Sequence, residues 1–82
     1  MVFFALTRSG YECYLNLAGN TEVPLWVSAG VLTGDELSHL RGSGRDVTDF
    51  IYRIDPKDND QVNDAVETIK EHHPGHAVRI ET

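Results

Sequence analysis

The sequence predicts an α+β domain: a two-layer sandwich whose mixed five-stranded sheet, in the order β-β-β-α-β-α-β, carries two helices on one face. Three observations predict it. The stretch Leu32-Thr33-Gly34-Asp35-Glu36-Leu37 is a complete helix start set between two strand-like runs, which makes a βαβ crossover. Residues 62–69 form an amphipathic helix face ahead of a short final strand. Residues 2–28 divide at glycine turns into three runs rich in β-formers.

The first of these runs is 2–7, Val-Phe-Phe-Ala-Leu-Thr. Ser9-Gly10 then offers a two-residue turn, because glycine accepts positive φ. Residues 11–17 alternate, with Tyr11, Cys13, Leu15 and Leu17 on one face and Glu12, Tyr14 and Asn16 on the other. Gly19-Asn20 is a second hairpin signal. Residues 22–28 follow as a third strand, with Val23, Leu25 and Val27 facing one way and Trp26 the other. Pro24 lacks an N–H, so this strand starts late or lacks a full neighbour there.

The first helix runs over 34–41 and stops at Gly42. Thr33 is placed to cap its free N–H groups, Glu36 to reach back, and Leu32 and Leu37 to staple the turn. Residues 47–54 read as a strand with Phe50, Tyr52 and Ile54 on one face. Asp58 caps the second helix, with Gln61 at the reach-back position and Val62, Ala65, Val66 and Ile69 as its apolar stripe. His72 and His73 occupy its last turn, and Pro74-Gly75 end it. Residues 77–81 form the last strand. Crossovers are right-handed. With the last three strands side by side in sequence order, both helices cover one face and the other stays bare. Trp26, Tyr14 and Phe3 or Phe4 are expected on that bare face.

Eighty-two residues support one domain, 1–82, and 40% apolar residues suffice for a modest core without disulfides. The single Cys13 reads as a small buried hydrophobe. No cationic segment leads into an apolar one, and no apolar run is long enough to span a bilayer, so a cytoplasmic, membrane-free setting is expected. The net charge is −6, and the acids concentrate after residue 45. An acidic surface repels phosphate backbones, which disfavours a nucleic-acid partner.

Four clusters carry candidate chemistry. The C-terminal ends of the parallel strands would gather Ser28, Ala29, Gly30 and Thr33 from one loop and Asp55, Lys57, Asp58 and Asp60 from the other, where open α/β sheets bind ligands. The acidic run 55–60 has carboxylates suited to Ca²⁺ or Mg²⁺, but Lys57 falls where an EF-hand places an acid, and the glycine and terminal Glu of that loop are missing. His72-His73-Pro74-Gly75-His76 offers His73 and His76 as converging metal ligands across a turn. Arg41-Gly42-Ser43-Gly44-Arg45 is a flexible basic loop at the opposite end of the sheet. Against each stands a plain structural role: caps, solvated loop, favourable charge at a helix end, and a helix C-cap with its turn.

No Ser-His-Asp or Cys-His arrangement can be assembled, so no catalytic residue and no cofactor is expected. The expected function is that of a small acidic module acting by protein–protein binding, regulatory or inhibitory, through a partner protein or a homodimer that covers the bare sheet face with Trp26 and Tyr14. The alternative is a small ligand- or metal-binding protein that uses the strand C-terminal loops, Ser28 to Thr33 and Asp55 to Asp60, or the cluster His72 to His76.

Overall fold

Four strands, all parallel, form a single sheet in the order β3-β2-β1-β4. The computed structural model describes all 82 residues. The strands are β1 (Val2–Ala5), β2 (Leu25–Val27), β3 (Val47–Asp49) and β4 (Val78–Glu81), and the helices between them are α1 (Arg8–Leu15), α2 (Gly34–Gly42) and α3 (Asn59–His72). A short 3₁₀ turn, Asn20–Glu22, follows Gly19 at φ 72°.

The expected mixed five-stranded sheet is thus a four-stranded parallel one. The difference lies in residues 11–17, expected as a strand. Arg8–Leu15 is a helix whose cap, Thr7, accepts the Gly10 N–H at 3.2 Å. Tyr11 and Tyr14, three residues apart, share its buried face, while Cys13 and Leu15 are exposed. The buried Cys13 of the alternating reading is therefore corrected. Without that strand no hairpin remains, and every strand connects by a helical crossover.

The two-layer arrangement is also corrected. Phe3 and Ala5 of β1 pack with Tyr11, Tyr14, Leu25, Val27, Leu40 and Val47, beneath α1 and α2. Val2 and Phe4 pack on the other face with Trp26, Phe50, Ile54, Ala65 and Ile69, beneath α3. The reason is strand order. From β1 to β3 the chain moves one way across the sheet; from β3 to β4 it doubles back beyond β1. Right-handed crossovers in opposite directions place their helices on opposite faces. No face is bare, and Phe3, Phe4, Tyr14 and Trp26 are all core residues, at most 5% exposed.

The local helix signals around α2 and α3 match the structure closely. Thr33 Oγ1 accepts the Glu36 N–H at 3.1 Å, and the Glu36 carboxylate accepts the Thr33 N–H at 3.0 Å, a reciprocal capping box. Leu32 and Leu37 pack against one apolar cluster. Asp58 accepts the Asp60 and Gln61 N–H groups, but Gln61 reaches back to the Asp55 N–H instead of the cap residue. The strand expected over 47–54 ends at Asp49, because the chain then turns to bury Phe50 and Ile54 under α3.

Candidate functional site

Parallel strands align their C-terminal ends, so the loops that leave them meet along one edge of the sheet. The connections that leave the neighbouring strands β2 and β3 run to opposite faces of the sheet, a topological switch point, the place where open α/β sheets leave a crevice. A cleft of about 430 Å³ opens along this edge. Leu6, Thr7 and Arg8 line it from the β1–α1 loop, Ser28 to Val31 from the β2–α2 loop, and Arg53, Ile54 and Pro56 from the β3–α3 loop. The volume lies within the roughly 300–1,000 Å³ usual for small-ligand sites. A second hollow of about 360 Å³ adjoins it and shares Arg53 and Pro56, with Asp55 and Gln61 on its far side.

Each polar group in the cleft has a structural cause. Thr7 caps α1, so the first turn of that helix opens at the cleft with free N–H groups and the positive end of its dipole. Ser28 ends β2 and is buried; its Oγ accepts the Ile54 N–H at 2.8 Å and ties the β3–α3 loop to the sheet. No acceptor within the chain takes the Ser28 proton. Gly30 stands at φ 83°, a conformation costly for any side-chain-bearing residue, and it lets the backbone turn at the cleft wall.

The two arginines differ. Arg8 grips Glu36 through two 2.6 Å hydrogen bonds and donates to the Val31 carbonyl at 3.2 Å. Glu36 is thereby pulled down to about 2, first by the Arg8 hydrogen bonds and then by the Thr33 N–H. Burial, and then the Glu36 charge, push the nearby Tyr11 phenol above its ordinary value. Arg53, by contrast, makes no ion pair and no side-chain hydrogen bond. It is the cation left free on the cleft wall, between the two hollows.

Of the residues singled out from the sequence, Ser28, Ala29 and Gly30 line this cleft. Thr33 and Asp58 cap α2 and α3, their side chains engaged there. Asp55 lines the second hollow and accepts the Lys57 N–H at 2.9 Å. Trp26 and Tyr14 lie in the core. The Trp26 Nε1–H donates to His73 Nε2 at 3.2 Å, and the Tyr14 hydroxyl donates to the Asn20 carbonyl and accepts from Arg45. The His73 and His76 rings stand 6.2 Å apart, and no group of three or more His, Cys, Asp or Glu is placed to hold a metal ion. Both arginines of the 41–45 loop are engaged, Arg41 with Val47 and Asp49, Arg45 with Tyr14.

Thr7, Arg8 and Arg53 were not reached from the sequence. While residues 11–17 read as a strand, Thr7 and Arg8 carry no signal for a site; with residues 8–15 helical they are the cap and first turn of α1 at the C-terminal edge of the sheet. Arg53 was hidden inside a supposed strand. No helix is long and apolar enough to cross a membrane. No family model, curated protein or solved structure matches the chain.

Proposed function

We propose that this domain binds a small anion, of phosphate or carboxylate type, in the cleft at the strand C-termini. The observation that carries the reading is Arg53, a guanidinium without an internal partner on the wall of a cleft where the α1 N-terminus also opens. Helix N–H groups and a free arginine are complementary to one anionic head. Ser28 adds a hydroxyl donor, and Leu6, Val31 and Ile54 supply apolar walls for the rest of the molecule. The net charge of −6 opposes anion approach at long range. That repulsion is screened beyond about 8 Å at physiological ionic strength, so the local donors decide.

Titration of ¹⁵N-labelled protein with inorganic phosphate, and separately with malonate, tests this. Amide shifts are expected at residues 7–9 and 28–31, and Arg53→Ala is expected to weaken binding by about tenfold or more, the value of one charged hydrogen bond. Absence of shifts there with both anions rejects the reading.

A second reading, recognition of a protein partner by a regulatory module, is supported by one observation. Ile51 is 97% exposed and Tyr52 beside it is half-exposed, on the loop that also carries Arg53. A bulky apolar residue so fully in water is a natural contact point, although a single one is common on ordinary surfaces.

A further inference from the structure

The two edges of the sheet are treated differently. An edge strand presents unpaired N–H and C=O groups to any strand that approaches, and proteins usually block them. The β3 edge is blocked. Leu25 N donates to Asp46 O and Phe50 N donates to Val27 O, so residues 46, 48 and 50 face β2 while Val47 and Asp49 face outward. Arg41 occupies that outward position: its Nε and Nη2 both donate to the Val47 carbonyl, at 3.2 and 3.1 Å, and Nη2 also holds Asp49 at 2.9 Å.

The β4 edge has no such guard. Val2 N donates to Ala77 O and Leu6 N donates to Glu81 O, so residues 77, 79 and 81 turn toward β1. The N–H and C=O of Val78 and Ile80 therefore point away, with no strand beyond them. Ile80 is 42% exposed, an apolar side chain beside open hydrogen-bonding groups.

We propose that β4 is the interface of a symmetric homodimer, in which two copies pair antiparallel about a two-fold axis at Ile80 and join two sheets into one of eight strands. The register follows from the chemistry. Antiparallel pairing about Ile80 sets Ile80 against Ile80 and Val78 against Thr82 of the second copy, matching outward-facing groups with outward-facing groups. The same register sets Arg79 opposite Glu81 of the second copy, and by symmetry the reverse. Both side chains lie on the α1 face, since they pair with Phe3 and Ala5. Arg79 already donates from Nε to its own Glu81 at 3.0 Å, and its two terminal nitrogens have no acceptor, so they are free for the second carboxylate. On the opposite face the two Ile80 side chains meet beside Val78. A register slipped by one residue would turn the outward groups of one copy toward the inward groups of the other and lose the ladder. The edge is thus complementary to itself in hydrogen bonding, charge and apolar contact at one register.

Sedimentation equilibrium from micromolar to millimolar protein tests the proposal. The wild type is expected to move from the 9.2 kDa protomer to twice that mass. Ile80→Pro removes an N–H that points away from β1, so it is expected to abolish the dimer with the far-UV spectrum unchanged. Arg79→Glu and Glu81→Arg each set like charges opposite one another twice, and each is expected to weaken association by about tenfold. The double variant Arg79→Glu/Glu81→Arg restores opposite charges and is expected to recover most of that loss. A wild type that stays monomeric at millimolar concentration overturns the proposal. So does a dimer indifferent to Ile80→Pro, or a double variant no better than the singles.

Discussion

Glu36 does two things with one carboxylate. It closes the capping box of α2, and through Arg8 it ties the start of α2 to the start of α1. Its pKa is held at about 2 against an ordinary 4.5, because Arg8 and the Thr33 N–H favour the charged form. A carboxylate whose folded value is depressed stabilises the fold above its unfolded value and loses that contribution as pH falls through the folded one. Thermal melts of the wild type are therefore expected to fall between about pH 4.5 and about pH 2, and Glu36→Gln is expected to flatten the fall within that window. The pair is partly open to water, so high salt should shrink the difference. An identical acid profile in the variant would show that the pair carries no stability. Thr33→Ala is expected to cost about 0.5–2 kcal/mol through loss of the cap. In a double-mutant cycle with Glu36→Ala it should be non-additive, since each side chain of the box serves the backbone of the other. Additive denaturation midpoints would mean that the box is not formed in solution.

At the scale of the element, α1 differs from α2 and α3 in how much of it a short stretch of sequence can state. The caps at Thr33 and Asp58 are local hydrogen-bonding chemistry within four residues, and the sequence states them outright. In residues 11–17 the same side chains satisfy a period of two and, through Tyr11 and Tyr14, a helical spacing; a run so short cannot decide between them. Tertiary packing decides. Gly10 brings α1 so close to the sheet that a Cβ there would lie 2.5 Å from the Glu81 carbonyl oxygen and 3.0 Å from its carbon. All the atoms it would meet are backbone, so no side chain can swing aside. Alanine is better than glycine in a helix by about 1 kcal/mol. Gly10→Ala should nonetheless destabilise the protein, by about 1–3 kcal/mol, because the helix must lift off β4. Urea denaturation checks this, and a stabilised variant would place α1 farther from the sheet than described.

At the scale of the whole molecule, the two-sided coverage of the sheet was written in the sequence in a form that the alternation rule overlooks. Val2–Ala5 and Leu25–Val27 are continuous apolar runs, the mark of parallel strands buried on both faces. The order of those strands was not written there: βαβ units are alike whether the next strand lands beside the last or beyond the first. That one choice moved α3 to the second face and carried the cleft with it, since the switch point exists only when the chain doubles back.

Trp26 tests that choice directly. On a two-layer fold with a bare face it would stand in water and tolerate a charge. Here it is 5% exposed, packed between Phe50 at 5.4 Å and the rings of His72 and His73 at 5.4 and 6.0 Å, with its indole N–H bonded to His73. Its fluorescence is therefore expected to resist iodide until the protein is denatured. Trp26→Glu would place a carboxylate among Phe4, Phe50 and Ile69 with no partner, a cost of several kcal/mol that a domain of this size cannot absorb. The variant is expected to lose native far-UV dichroism altogether. Trp26→Phe keeps the apolar contact and forfeits the hydrogen bond to His73, so it should fold with a loss of about 1 kcal/mol. Ready quenching of the native protein by iodide, or a well-folded Trp26→Glu, would remove α3 from the second face and with it the three-layer fold.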